Sequence, residues 1–389
     1  MKRIAIAERG DWKAQAEQLG FHFHTIAGET YWDERAYYAF TLRQIEDDIE
    51  SATQAVHDMA MSLVEEIVNS EALLAQLAIP ATHWDWIAES WRSADPHLYG
   101  RMDLAYDGRG PAKLYELNYD TPTSLYESAY FQWLWLEQQI AAGVLPKAAD
   151  QFNRIQELLC ETFATLARDA RIGSLMHFSA VRDSVEDRGT VQYLRDCAHQ
   201  VGIRTASVAI EDIGVSAQGW FTDADDVVIG TLFKLYPLEF MMREAFAPQL
   251  AQQRMQLVEP AWKSVLSNKG ILPLLWQRHA GHPNLLEATF DDAPQQPLAA
   301  GWVRKPLLSR EGANIDMVTA DGARIRSDGP YDDGPSIRQR YHPLPEFDGN
   351  YPLVGSWVIA DQPAGMGLRE DRSLITQDTS RFVPHAIVD

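Results

Sequence analysis

The chain has little cysteine, only Cys160 and Cys197 among 389 residues. That rules out a disulfide framework and any Cys-based metal spacing, and it suits a reducing, cytoplasmic setting. Long uncharged apolar runs are also missing. The opening MKRIAIAERGDW turns charged after a few residues, and no stretch reaches the roughly 18 apolar residues that a membrane span requires, so a protein neither secreted nor membrane-spanning is expected. Positive charge is in deficit, with 34 Lys and Arg against 55 Asp and Glu and a formal net charge of −21. Nucleic acid and anionic membranes would not be attracted over long range, whereas a cationic substrate such as a polyamine would be; solubility is the other use of an acidic surface. No G-x-G-x-x-G follows a strand and no Walker-type loop occurs, so any nucleotide must be gripped by other means. The length suggests two or three substructures.

The most informative stretch is GRMDLAYDGRGPAKLYELNYDTPTS, Gly100 to Ser124. Arg101 and Asp103 are two apart, as are Glu116 and Asn118, and on strands that spacing aims each pair at one face. The Asp-, Gly- and Pro-rich middle predicts a turn. A loop centred between Arg109 and Gly110 sets Asp103 opposite Glu116 and Arg101 opposite Asn118. Two carboxylates and an amide oxygen converging there would suit Mg²⁺, a hard cation often held by few carboxylates plus substrate phosphates. A solvated face with cross-strand ion pairs is the alternative.

Elsewhere the sequence reads more plainly. Asp33 to Leu77 favours helix throughout, and Trp84, Trp86 and Trp91 follow in an amphipathic segment. Leu125 to Ala142 predicts a buried helix with Thr121, Thr123 and Ser124 ahead of it, either as caps or as a place where backbone N–H groups hold a carboxylate or phosphate. From Ile172, strand, helix and strand alternate, predicting a parallel βαβ unit over about 168–250. In the last third, Asn268 and Lys269 stand at a helix start, and Lys305 ends a strand before a turn with Arg310, Glu311 and Gly312. Two such lysines could clasp phosphates under a Gly-containing loop. SIRQRYHPLP predicts an edge strand, and YPLVGSWVIADQPAGMGLRED predicts a Gly-rich loop carrying Arg369.

In order and spacing, the RMD and ELN runs, SNKGILPLLW, VRKPLLSREGANI, VGSWVI and GLRED with the downstream SRFVPH resemble the synthetase part of glutathionylspermidine synthase, and the stand-alone bacterial homologues most closely. The resemblance covers nearly the whole chain. It implies an α+β or α/β architecture of the ATP-grasp type, circularly permuted so that the metal-binding strands come early, with an inserted small doubly wound pre-ATP-grasp-like subdomain. A single catalytic unit, 1–389, would comprise a helical region with the metal-binding hairpin (1–165), a βαβ substrate-side subdomain (168–250) and a nucleotide-binding part (260–389). It further implies Asp103, Glu116 and Asn118 as Mg²⁺ ligands, Lys269 and Lys305 on the phosphates of ATP, and Glu311 and Gly312 in a flexible loop above them. Gln339, Arg340, Tyr341 and His342 would line the adenine edge, with Leu374, Ile375 and Thr376 bordering the nucleotide. Arg101 and Arg369 would face the reacting carboxylate, and Thr121 and Ser124 would help to bind a peptide substrate. No amidase region with a Cys and His pair is present, so the hydrolytic half-reaction is expected to be absent.

The implied chemistry is ATP-dependent amide formation between a glutathione-like peptide carboxylate and an amine such as a polyamine, through an acyl phosphate, with ADP and phosphate released. The other readings are a non-catalytic nucleotide- or polyamine-binding protein on the same fold and a plain acidic metal-binding protein. The latter leaves the late lysines and arginines unexplained.

Overall fold

The computed structural model describes residues 1–26, 28–252, 254–331, 334–377 and 380–389. The hairpin forms in the expected register: strands Tyr99–Ala105 and Lys113–Asn118 pair antiparallel, with Arg101 opposite Asn118 and Asp103 opposite Glu116. A register shift beyond Asp103 sets Leu104 opposite Leu114 and leaves Tyr115 as the extra residue of a bulge. The hairpin is one side of a five-stranded antiparallel sheet continued by Tyr351–Ile359, Gln362–Asp371 and Arg381–Val383. Strand alternation divides this sheet cleanly. Met102, Leu104, Leu117, Val354, Met366 and Leu368 enter one apolar core, shared with Val56, Ala60, Leu63 and Ile67 of the helix Ser51–Val68. The opposite face carries Arg101, Asp103, Glu116 and Arg369 together with three glycines.

Those glycines correct one expectation. Arg369 does not lie in a Gly-rich loop; it is inside the strand Gln362–Asp371, and Gly365 and Gly367 are bare positions on the strand's functional face. Gly355 pairs with both Asp103 and Gly367, which clears the space beside Asp103; a Cβ at Gly355 would sit 3.0 Å from the Arg101 side chain. The expected helix near 125–142 is a π-helical turn, Glu127–Phe131, running into Gln132–Ala141, and its Ser128 hydroxyl lies where a Gly367 side chain would be.

A second antiparallel sheet is ordered Ala288–Phe290, Ser336–Arg340, Trp302–Pro306, Asp316–Val318, Arg324–Arg326. Ser336–Arg340 is therefore internal rather than an edge strand, because the short Ala288–Phe290 strand covers it. The βαβ unit is parallel as expected: Leu175–Ala180 and Arg204–Ala209 flank the helix Val185–Gln200, and Thr231–Leu235 and Gln256–Val258 extend the sheet. The Asp33–Leu77 region is not all helix. Ala36–Phe40 is a strand between Lys2–Ala5 and His385–Ile387, an arrangement that its aromatic side chains favour over helix. No helix among the described residues is long and apolar enough to cross a membrane.

The parallel sheet is fastened to the hairpin by one ion pair. Lys234 of Thr231–Leu235 bonds Asp120, two residues past the hairpin; both side chains are 0% exposed, and the second Asp120 oxygen accepts the Leu238 N–H at 2.9 Å. A lone buried charge is costly, so Lys234→Met should destabilise the protein by about 3–5 kcal/mol. Adding Asp120→Leu should recover part of that loss, the remainder reflecting the orphaned Leu238 N–H. Urea unfolding of both variants tests this. A double variant as unstable as the single would show that the pair contributes more than mutual neutralisation.

Candidate active site

The three sheets enclose a cleft of about 220 Å³. Its floor is the glycine-bearing face of the first sheet. Asp103, 3% exposed, accepts Arg101 Nε on Oδ1 at 2.7 Å and Arg369 Nη2 on Oδ2 at 3.0 Å. Arg101 also donates to the Thr123 carbonyl at 2.9 Å, and its guanidinium lies 5.9 Å from the Trp357 ring centre. Neighbouring Glu370 points to the other face, bound at 2.9 Å by Arg3 and at 2.8 Å by the Tyr38 hydroxyl, with Arg381 at 3.0 Å. Because successive side chains on a strand alternate, this clamp on Glu370 fixes where Arg369 points.

Across the cleft, Lys269 follows Asn268 at the approach to the helix Ile271–Arg278, and Lys305 lies in Trp302–Pro306. Lys269 Nζ is 3.1 Å from Glu116 Oε2 and also donates to the Ser309 carbonyl. Lys305 donates to the Tyr115 carbonyl at 3.1 Å, which gives the bulge at Tyr115 a use: it turns an otherwise paired carbonyl toward the lysine. Burial would raise the Glu116 carboxyl, but Lys269 and then Lys305 hold it down at about 2. Burial lowers Lys305 to about 8, against an opposing pull from Glu116.

The loop after Lys305 closes one side. Gly312 has φ 70°, and a Cβ there would stand 2.5 Å from the Thr376 carbonyl, so the loop backbone abuts Leu374, Ile375 and Thr376. Beneath it, Val303, Ile315, Met317, Tyr341, Leu374 and Ile375 form an apolar slot. Gln339 Nε2 donates to the Leu114 carbonyl at 3.1 Å, and the His342 carbonyl accepts the Tyr115 hydroxyl.

Of the residues expected from sequence, the cleft wall contains Arg101, Asp103, Glu116, Asn118, Thr121, Lys269, Lys305, Glu311, Gly312, Gln339, Arg340, Tyr341, His342, Arg369, Leu374, Ile375 and Thr376. Ser124 is not part of that wall. It is buried at φ 74° with its carbonyl accepting Ser128, and Thr123 lines the cleft instead. Among the wall residues to which the sequence reading gave no site role are Arg310 and Asp187. Arg310 bonds Thr121 Oγ1 at 2.6 Å and Glu239 Oε1 at 2.7 Å, and its place beside Glu311 and Gly312 was a usable signal. Asp187 lies in the first turn of the helix Val185–Gln200, where a carboxylate looks like ordinary dipole compensation.

The donors also bear on a metal. Among the described residues no group of three or more His, Cys, Asp or Glu converges. Asp103 and Glu116 instead stand in register with the amide of Asn118 beyond, and Asn118 Oδ1 is buried without a hydrogen-bond partner. A set of few oxygen donors with one unused fits Mg²⁺, which keeps waters or substrate oxygens in its remaining positions.

The fold is mixed α/β, and its structural neighbours are glutathione synthetase-like. A solved glutathione synthetase-like effector from Globodera pallida superposes with a TM-score of 0.53 at 12% identity, covering 90% of this chain and 89% of its own. The family described as glutathionylspermidine synthase preATP-grasp matches residues 3–388, and the chain belongs to it. A putative acid–amine ligase of Haemophilus influenzae is 39% identical with full coverage of both chains. The trypanothione synthetase of Crithidia fasciculata is 27% identical over 84% of this chain and 53% of its own. The bifunctional glutathionylspermidine synthetase/amidase of Escherichia coli K12 is 25% identical over 97% of this chain and 64% of its own, so the chain spans between half and two thirds of the length of these two relatives. Acid–amine ligation is the activity class of these relatives.

Lys305 gives a pH test. Its charge is present below about pH 8 and is lost above it, so a phosphate contact made by Lys305 weakens as pH rises through 8. ADP affinity measured by calorimetry in EDTA should fall across that interval, and Lys305→Arg, which stays charged, should flatten the curve. A wild-type affinity independent of pH between neutrality and the lysine range would remove Lys305 from the phosphate site.

Proposed function

We propose that this chain is an ATP-dependent carboxylate–amine ligase that forms an amide through an acyl phosphate, joining a glutathione-like peptide carboxylate to an amine such as a polyamine. The observation that carries the reading is the convergence of Arg101 and Arg369 on Asp103, facing Lys269 and Lys305 across the same cleft. One pair of planar cations suits a carboxylate and its developing oxyanion, and the two lysines suit a polyphosphate. The architecture is read as a circularly permuted ATP-grasp with an inserted subdomain over 168–250, a hairpin-bearing part over 1–165 and a nucleotide-binding part over 260–389. A soluble cytoplasmic enzyme fits the low cysteine content.

In this reading the adenine enters the apolar slot between Val303, Met317 and Ile375, with backbone groups of Gln339 to His342 at its edge. The phosphates run toward Lys269 and Lys305, under the loop bearing Glu311 and Gly312. Asp103, Glu116 and Asn118 would hold Mg²⁺, which when bound neutralises phosphate charge. Arg101 and Arg369 orient the substrate carboxylate for in-line attack on the terminal phosphorus; its oxygen–phosphorus bond forms as the bond to ADP breaks. Thr121 and Thr123 border the peptide. The amine then attacks the acyl carbon and phosphate departs.

Because Arg369 is read as serving the transition state, Arg369→Ala should lower kcat about 10³-fold or more with ATP affinity little changed. Lys at this position should rescue poorly. Hydroxylamine trapping tests the whole scheme: with ATP and glutathione the parent protein should give a hydroxamate and ADP, and the variant should not. AMP and pyrophosphate as products would refute the acyl phosphate. Glu116→Gln should abolish Mg²⁺-dependent turnover in protein that still folds, with a lowered unfolding midpoint because Lys269 loses its carboxylate. Normal turnover at saturating Mg²⁺ would remove Glu116 from the metal site.

A further inference from the structure

Beneath the arginine end of the cleft is a cluster of acids that the scheme above does not use. Glu127, on the π-helical turn that packs over the bare Gly367, is fully buried. Its Oε1 accepts the Tyr31 hydroxyl at 2.7 Å, and the same hydroxyl is 3.3 Å from Glu186 Oε1. The second oxygen of Glu127, Oε2, is buried with no hydrogen-bond partner. Glu186 is half-buried, with Thr123 and Arg369 near enough to lower it; Thr123 and Asp187 both line the cleft. A chain of polar groups therefore runs from the cleft through Glu186 and the Tyr31 hydroxyl to Glu127, and it ends on an oxygen with unused capacity. Structural carboxylates sealed in a core normally have both oxygens satisfied.

Resting on the ligase reading, we propose that Glu127, acting with Glu186 through the Tyr31 hydroxyl, takes up the proton an amine substrate must lose before it attacks. An alkylammonium ion has no lone pair and cannot attack the acyl phosphate. It passes one proton to the acid pair and becomes the free amine. Its nitrogen then bonds to the acyl carbon as the carbon–oxygen bond to phosphate breaks, phosphate leaving with that electron pair. The second nitrogen proton passes to the departing phosphate. The charged groups around the pair act in both directions. Burial and then Glu186 raise Glu127, while Tyr31 and Arg101 lower it. Burial and then Asp187 raise Glu186, joined by Glu311, while Arg369 and Thr123 lower it. Asp187 itself is raised by burial to about 6, against Ser184 and Arg310. Two carboxyls that share a hydroxyl and resist double ionisation hold a proton at neutrality more readily than a free acid, and they titrate as one unit. Glu127 acts through Glu186 rather than on the substrate directly, so the signature to seek is a pH profile and not only a loss of rate.

Hydroxylamine separates this proposal from the ligase reading, because it is already uncharged at neutral pH and needs no proton acceptor. Wild-type and Glu127→Gln proteins are given ATP, Mg²⁺ and glutathione with either spermidine or hydroxylamine. The variant should form hydroxamate at the wild-type rate, and its amide formation with spermidine should fall about 10²-fold or more at neutral pH. The deficit should shrink in alkaline buffer, where the amine deprotonates unaided. Tyr31→Phe, which removes the hydroxyl that joins the two acids, should show the same spermidine-selective loss, because Glu127 is then cut off from Glu186. Equal loss of hydroxamate and amide in Glu127→Gln, unchanged amide formation in that variant, or unchanged amide formation with spermidine in Tyr31→Phe would each overturn the assignment. Absence of hydroxamate from the wild-type protein would instead overturn the ligase reading with glutathione, and this proposal with it.

Discussion

Asp103 is the point on which the cleft depends. Two like charges about 4 Å apart repel by roughly 4 kcal/mol at an effective dielectric of 20, so Arg101 and Arg369 cannot be held together in a buried place without an anion between them. Asp103 accepts Arg101 on both oxygens and Arg369 on Oδ2, and the bare backbone of Gly355 beside it gives the Arg101 side chain room to reach it. The rest of the cleft follows the same rule. Lys269 leans on Glu116, and Arg310 on Glu239. Arg101, Arg369, Lys269 and Arg310 are already neutralised by the chain's own carboxylates, while Lys305 rests on a carbonyl, so a polyanionic ligand would bind largely by exchanging partners. The net cost of the exchange is smaller than the number of ion pairs suggests, because each displaced carboxylate is itself a candidate to face a cation arriving with the ligand.

The three sheets share one apolar core, and polar joints tie them together at the cleft. Lys234 and Asp120 fix the parallel sheet to the end of the hairpin, Arg310 ties the loop after Lys305 to Glu239 and Thr121, and Ser267 Oγ receives the backbone N–H of Tyr119 and Asp120. Buried polar contacts of this kind are directional, and they fix relative position in a way that apolar packing alone does not. The apolar cores lie behind, with Trp262 and Ile67 in one and Phe178 and Phe163 in another. Rigidity therefore comes from the back of the molecule and orientation from its polar seams.

Much of the candidate site could be read from the sequence because its residues carry local signatures. The hairpin register followed from the alternation of Arg101, Asp103, Glu116 and Asn118 about a turn with a clear centre, and the strand–helix–strand unit beginning at Leu175 followed from period and length. What escaped was whatever depends on packing between distant segments. Gly365 and Gly367 looked like turn residues; in the structure they are empty positions that admit Ile155 and Ser128, and nothing local distinguishes the two cases. Ala36–Phe40 was masked by the helix-favouring sequence around it, and its pairing with strands at both ends of the chain is invisible to any short window. Glu127 and Asp187 sit in segments that are genuinely helical or nearly so, and their proximity to the cleft is set by which face of each helix meets the sheet.

The clamp on Glu370 also bears on the order in which the molecule is built. Synthesis delivers Asp103 early, but its partner Arg369 follows 266 residues later, and Arg3 and Arg381, which hold the neighbouring Glu370, come from opposite ends of the chain. Until the strand Tyr351–Ile359 has left the ribosome, the hairpin has no neighbouring strand on its Tyr99–Ala105 side, and until Gln362–Asp371 follows, a carboxylate and a guanidinium destined for burial remain in water. The parallel sheet needs nothing beyond Val258 for its own strands and can form first. Nascent chains should thus carry a folded middle between two waiting ends, exposing an unpaired strand edge for the whole of that interval, and cellular holdases would find their target there.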